Sequence, residues 1–341
     1  QGEAYALRGF MHFDLLRLFA PSIKAGGDGS YLPYCDTYPA IWSKKLSTKE
    51  VLKRVIEDLE KAQHLTAQFD TLPENIGALQ SKYYRVENQN FFSERGIFYS
   101  YRGTRMNYLN VTALLARVYL YAGELEKAYK AAQYVIDFEG MEFPSRYGGY
   151  SGNTKSREDI LFAFFNKSVL DYFDPYLGNN GYLKLRNVSD LYSGETSDKR
   201  YTELTTEIIK DTRISTRYKR YSDDPDDSKD RVNGPLIPVI RLGEMYHIIC
   251  EYYVEKDRLS DAIEKLDKLR MERGLGYNNL DPDMSETDFL KKLRLDAHKE
   301  FISEGQVFFM YKRLNHPIWD GNTNGEITPN FVLPTPDSEN V

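Results

Sequence analysis

The pattern of apolar and polar positions is densest between Asn107 and Asp137, where the chain reads NYLNVTALLARVYLYAGELEKAYKAAQYVID. From Leu109 to Ala122 it is apolar almost all round, with Asn110, Thr112 and Arg117 as the clearly polar members. A helix without a polar face must be covered on several sides, which predicts a central position. Gly123 stands where a helix C′ residue is expected, because glycine takes the left-handed conformation without a Cβ clash. Beyond it, Leu125, Ala128, Tyr129, Ala132 and Val135 form one stripe opposite Glu126, Lys127, Lys130 and Gln133. The spacing predicts a helical hairpin with one buried arm and one half-buried arm.

The offsets inside this hairpin match a tetratricopeptide (TPR) unit. Leu115, Ala116, Tyr119, Gly123, Ala128 and Ala132 fall where small residues let two helices approach and large ones fill the neighbour's groove. A second unit is read in PLIPVIRLGEMYHIICEYYVEKDRLSDAIEKLDKLRMERG, with helical order resuming at its start. Leu242, Met245, Ile249 and Tyr252 line one helix; Leu259, Ala262, Ile263, Leu266 and Leu269 line the next, closed by Gly274. Ile249, Cys250, Tyr253 and Ala262 repeat the TPR offsets. Ala128 and Ala262 lie 134 residues apart, whereas a peptide-binding TPR scaffold repeats at about 34 residues. That competing class is therefore disfavoured.

Towards the N-terminus, AYALRGFMHFDLLRLFAP predicts a helix with Ala4, Leu7, Met11, Leu15 and Leu18 as its apolar stripe, ending before Pro21. No initiator methionine, signal peptide or targeting segment precedes it. A buried-type helix at the first residue leads to the expectation that an upstream part lies outside this sequence. Ser47 and Glu50 make a capping-box start for a helix carrying Leu52, Val55, Ile56, Leu59 and Ala62. The connection between the two helices, residues 22–45, is longer than the roughly 12–15 residues usual for structureless loops, which marks Tyr38 and Trp42. The plainer alternative is an aromatic plug over the hairpin. A last helix is expected from about Glu286 to Leu314, then a coil ending FVLPTPDSENV.

Between the two regular regions the helical rhythm stops. Residues 139–198 are rich in glycine, asparagine and aromatics, with one strand-like run at Ile160–Phe165. Helix returns weakly at YTELTTEIIKDTR. Asp224, Asp226, Ser228 and Asp230 alternate as in a calcium loop, but the glycine at the sixth position and the acid at the twelfth are missing, so this reads as a solvated loop.

Composition narrows the function. The net charge of −6 gives no basic footprint for nucleic acid, and no run approaches the 18 or so apolar residues of a membrane span. Cys250, in an apolar helical run, reads as a small buried hydrophobe, and Cys35 as a loop residue; the two form no metal-spaced or CxxC set. No GxSxG, HExxH, Walker A or GxGxxG motif occurs, so no catalytic, cofactor or metal residues are assigned. His247 and Glu251 are one turn apart, without a second ligand or base beside them. A glycosidase carboxylate pair meets in space rather than in sequence, which keeps an α-helical glycoside hydrolase as a further alternative.

In combination, five segments resemble the SusD/RagB family, the surface glycan-binding lipoproteins of Bacteroidota. They are EAYALRGFMHFDLLRLF, STKEVLKRVIEDLEKA, NVTALLARVYLYAGELEKAYKAAQYVI, PVIRLGEMYHIICE, and KEFISEGQVFFMYKR with the terminal LPTPDSE. The fifth departs from the common family form, which has arginine where Val307 stands and aspartate where Met310 stands. The resemblance implies a mostly α fold: TPR-like hairpins forming a platform, an irregular loop-rich lobe and minor β structure. On this chain that corresponds to N-terminal hairpins over 1–138, a lobe over 139–234, and a C-terminal hairpin, final helix and coil over 235–341.

It also implies a glycan or oligosaccharide ligand, no enzyme activity, no cofactor, a cell-surface position on the outer membrane through a lipid anchor, and a SusC-like TonB-dependent transporter as partner. Sugar recognition needs flat apolar faces for C–H groups and planar polar groups for hydroxyls. From composition and position, the candidates are Tyr38, Trp42, Tyr147, Tyr150, Tyr172, Tyr176, Asn179 and Asn180, with Tyr182 nearby. Trp319, the second tryptophan, is read as a loop residue. Glu300, Glu304, Lys312 and Arg313 are expected to tie helices together rather than to touch ligand.

Overall fold

The computed structural model describes residues 1–39, 43–81, 85, 102–144, 153–177, 183–185, 187–210, 212–222, 224, 234–277, 279–321 and 325–335. Its frame is a series of long helices: α1 (Gly2–Phe19), α2 (Thr48–Asp70), α3 (Tyr108–Ala122), α4 (Leu125–Asp137), α6 (Leu242–Glu255), α7 (Leu259–Glu272), α8 (Glu286–Glu300) and α9 (Gln306–Leu314). A shorter helix, α5 (Val169–Leu177), lies between α4 and α6 in the chain. Each long helix packs on the next: α1 on α2, α2 on α3, α3 on α4, α4 on α6, and α6 on both α7 and α8. The fold is mostly helical, as the sequence predicts.

Helix α3 is the centre of this stack. Asn107 caps it by accepting from the Asn110 N–H, and Gly123 ends it at φ 79°. Leu109, Val111, Leu114, Leu115 and Val118 are each 0–1 % exposed, a burial that contributes about 1.5–3 kcal/mol per large side chain. Ala128, Ala132 and Val135 of α4 close over it. The capping box at Ser47 and Glu50 forms at the start of α2, whose Leu52, Val55, Ile56, Leu59 and Ala62 are all buried. Gly274, at φ 88°, follows α7 as expected.

Helix α1 packs by a different face from the one its aliphatic stripe suggests. Ala4, Leu7, Met11 and Leu15 point outward and Leu18 is half-buried, while Ala6, Gly9, Phe10, Phe13 and Leu16 face the core. The reason is close approach: a Cβ on Gly9 would lie 3.1 Å from Leu59. Small residues let the α2 ridge come near, and the phenylalanine rings fill the space beside it.

Three further expectations are corrected. Residues 286–314 are two helices, not one, because Ser303 and Gly305 take φ of 63° and 72° and turn the chain. Leu236–Arg241 is strand β7, so helical order resumes only at Leu242. Thr205–Ile209 and Thr212–Ser215 are strands β5 and β6 of a hairpin, because β-branched residues on a half-buried surface suit a pleated strand better than a helix.

The small sheets are all antiparallel. Strands β1 (Leu32–Pro33) and β2 (Lys45–Leu46) pair within the long α1–α2 connection. The expected strand β3 (Ile160–Phe165) pairs with β7, and its Leu161 and Phe162 join the helical core together with Ile240. Strand β4 (Lys184–Leu185) adds to β6, and β8 (Ile318–Trp319) pairs with β9 (Glu326–Ile327).

Candidate functional site

Helix α5 presents aromatic rings and is supported separately from the main core. On α5, Val169, Leu170 and Leu177 bury against Ile214 and Tyr218, a small apolar cluster of its own. Phe173 stacks on Tyr218 with centroids 4.2 Å apart and planes 10° apart. That anchoring turns the opposite face to solvent, so Tyr172 is 64 % exposed and Tyr176 47 % exposed. At i and i+4 the two tyrosines are neighbours on one helix face. Arg220 bridges the same helix, donating to Asp174 at 2.8 Å and pairing with Asp171.

Just before α5, strand β3 leaves the core. Its first four residues are buried and its last two, Phe164 and Phe165, are exposed. The Phe164 ring stays near the body, 5.1 Å from Phe162 and 6.0 Å from Phe10 of α1. Phe164 and Phe165 were not singled out in the sequence, since an unbroken apolar run gives no alternation to show which end emerges.

Tyr38 belongs to a second group, in the β1–β2 connection, and is fully exposed. Its loop is clamped on α1 and α2. Asp58 receives the Arg8 fork, at 2.6 Å on each oxygen, and the Tyr34 hydroxyl at 2.5 Å. Burial, reinforced by Asp58, pushes the Tyr34 hydroxyl far above its ordinary pKa, so it stays a donor. His12 stacks on Tyr34 at 4.0 Å and accepts the Cys35 N–H at 3.0 Å. Arg54 reaches Asp36 at 2.9 Å.

The structure therefore brings Tyr172 and Tyr176 together, and among the described residues no contact joins them to Tyr38. Trp42, Tyr147, Tyr150, Asn179, Asn180 and Tyr182 lie outside the described residues, as do Asp226, Ser228 and Asp230. Trp319 is not a loop residue: it is half-buried in β8, packs on the Val188, Leu191 and Tyr192 cluster, and meets the edge of His298 at 5.7 Å.

A buried ionic junction ties Glu195, Arg200 and Arg217 to the helical stack. Glu300 of α8 accepts from Arg200 at 3.0 Å and Arg241 at 2.7 Å, and from Arg273 at 2.5 Å. Asp296, one turn earlier, takes Arg200 and Arg270 and the His247 ring at 3.1 Å. Burial alone would raise these carboxyl groups, but the surrounding guanidinium groups hold both well below the usual range. Glu195 behaves alike: burial opposes ionisation, and Arg270, Lys299 and Lys292 bring it down to about 2. Glu304 differs, since burial outweighs Arg217 and Arg241 and raises it. Lys312 reaches the Arg17 carbonyl, and Arg313 forks onto Glu251. Of the four residues expected to tie helices together, Glu300, Lys312 and Arg313 do so, while Glu304 ties the α8–α9 turn to Arg217 and to Arg241 of β7.

Among the described residues, no cluster of three histidine, cysteine or acidic side chains is placed to hold a metal ion. No described helix is long and apolar enough to cross a membrane.

Compared with known proteins, the model of the SusD family matches residues 88–331. A SusD-like carbohydrate binding protein from Bacteroides vulgatus ATCC 8482 superposes with a TM-score of 0.66 at 20% identity, over 93% of this chain and 63% of that one. A SusD superfamily protein from Bacteroides thetaiotaomicron VPI-5482 gives a TM-score of 0.68 at 21% identity, over 97% and 70%. One from Bacteroides fragilis gives 0.68 at 17% identity, over 99% and 73%. The chain thus spans less than two thirds of the first of these, and at such identities the likeness is one of fold. No curated protein matches the chain.

Proposed function

The chain belongs to the SusD family, and from that premise we propose that it captures a glycan or oligosaccharide at the cell surface and delivers it to a TonB-dependent transporter of the outer membrane. The observation that carries the binding half is the pair Tyr172 and Tyr176, exposed one turn apart on a helix whose other face is locked by the Phe173–Tyr218 stack. The anchored helix fixes the positions from which the two rings can offer apolar faces to sugar C–H surfaces. A similar fold in a carbohydrate binding protein supports the same ligand class.

Binding is proposed to occur without bond cleavage. The acidic groups with the strongest shifts, Asp296, Glu300 and Glu195, are buried among arginine and lysine partners. They are held ionised, the opposite of what a general acid needs. Anchoring is proposed to be through a lipid, and the helical stack to act as a rigid body against the transporter, since packed hairpins move together.

The test has two readouts. Glycan affinity electrophoresis with the wild type and the Tyr172→Ala/Tyr176→Ala variant should show retardation that the variant loses. Affinity purification from host membranes should recover a large β-barrel protein with either form. Equal retardation of both forms would remove the site; repeated recovery of no barrel would remove the transporter.

A further inference from the structure

The helical stack contains a cavity of about 560 Å³, bounded by the end of α1 and by α3, α6, α8 and α9. Its lining is divided. Leu290, Leu293, Phe309 and Met310 supply apolar wall, while Arg17, Arg117 and Tyr121 supply hydrogen-bond donors that are almost wholly buried.

These donors are fixed and incompletely used. The Arg17 guanidinium lies between two rings, 4.6 Å from the Phe13 centroid and 4.0 Å from that of Phe309. It donates to Gln306 at 2.9 Å and pairs with Asp14, which leaves its Nε–H without an acceptor among the described residues. Arg117 forks onto Glu244 at 2.7 and 2.6 Å and also reaches the Val239 carbonyl, which leaves its Nη1 without one. The Tyr121 hydroxyl is likewise unpaired, its ring held edge-on to Phe13 at 5.3 Å. Buried polar groups are nearly always hydrogen-bonded, so three unpaired donors around one cavity need an explanation.

Charge decides what kind of partner they lack. Asp14 and Glu244 already neutralise the two guanidinium groups. At this end of the cavity what remains is donor capacity rather than net positive charge, so an oxygen acceptor is matched there and a cation is not; Glu255 and Glu286 line the cavity elsewhere. The cavity size falls in the range typical of small-molecule sites, and its apolar wall suits a hydrocarbon body.

We propose that this cavity is a second ligand site, for a small molecule with an apolar body and a carbonyl-type oxygen head. The head, carboxylate or ester, accepts from the Arg17, Arg117 and Tyr121 donors after a small side-chain adjustment, and the body lies along Leu290 and Met310. The site is independent of the Tyr172 and Tyr176 surface, since its lining comes from the helical stack.

Calorimetric titration of the whole protein with octanoate, methyl octanoate and octylamine tests this, because the three share a body and differ in the head. Octanoate, the ester or both should bind, and octylamine should not; the comparison of acid with ester reports which head is preferred. Leu290→Trp and Met310→Trp, two half-buried wall positions, should each weaken binding at least about tenfold by filling space. Tyr121→Phe should weaken it by removing one donor. Glycan retardation should be unchanged in all three variants. Absence of binding by both acid and ester, octylamine binding as well as octanoate, or full affinity in both tryptophan variants would overturn the proposal.

Discussion

Arg241 of strand β7 and Glu300 of helix α8 meet at 2.7 Å with both side chains almost wholly withdrawn from water. Because Arg200 and Arg273 share the same carboxylate, one acid joins strand β7, the segment before β5, and helices α7 and α8. Removing its charge takes one carboxylate from each of three buried arginines, which then rely on Asp198, Asp296, Asp159 and Glu304. Glu300→Gln should therefore lower unfolding free energy by about 3–5 kcal/mol, the scale found when one partner of a buried pair is deleted. Urea denaturation checks this, and an unchanged midpoint would show the junction to be dispensable.

Gly140→Ala should be costly for a steric reason. Gly140 has φ of 84°, and a Cβ there would sit 1.7 Å from the Gln80 carbonyl oxygen. Backbone must move to admit it, so the loss should exceed about 1 kcal/mol. The control is Gly26→Ala, also at positive φ but in open space, which should lose only the conformational part. Equal melting temperatures for the two variants would contradict the clash.

His298 should make stability fall in mild acid. Burial, with a contribution from Lys299, lowers its pKa from 6.5 to about 4. Below pH 6.5 the unfolded chain takes up a proton that the folded chain refuses, so stability present above 6.5 declines until about pH 4. With partial exposure allowed for, the loss is about 2 kcal/mol. His298→Phe should flatten that part of the stability–pH curve, provided it remains folded at neutral pH; a curve of unchanged slope would refute the assignment. Asp296, Glu300 and Glu195, whose pKa values are depressed, act in a different window: they support the fold above their unfolded values and lose that effect only in stronger acid.

Tyr172→Ala and Tyr176→Ala should each weaken glycan binding by about 0.5–1.5 kcal/mol, the added worth of an aromatic contact. Both side chains are largely exposed, so melting temperatures should stay put. Tyr38→Ala asks whether the clamped loop shares the ligand. A loss of affinity on Tyr38→Ala would bring the loop into the ligand site, and unchanged affinity would leave it out.

The regular helices were legible because their signals are local. The Asn107 cap, the Gly123 turn and the Ser47–Glu50 box each act within a few residues, and the α4 and α7 stripes are unambiguous. Helix α1 is apolar on more than one side, so its aliphatic stripe does not identify the packed face; the proximity of Leu59 to Gly9 selects it. Strands β5 to β7 escaped for a related reason: their ladders depend on partners distant in sequence or on tertiary burial. In the candidate site, Tyr172 and Tyr176 were legible as aromatics in an irregular region. That Phe164 and Phe165 emerge into solvent depends on where β3 leaves the core, which residue type does not encode.

The two thiols differ in accessibility. Cys35 is exposed in the clamped loop, three positions before Tyr38, while Cys250 is fully buried with its thiol pushed well above its usual pKa. Thiolate is the reacting species and reagent must reach it, so a maleimide dye should attach at Cys35 and leave Cys250 untouched. The chain thus carries one accessible thiol beside one of the two aromatic groups. Quenching of that dye on titration with glycan would report occupancy near Tyr38 without any engineered cysteine.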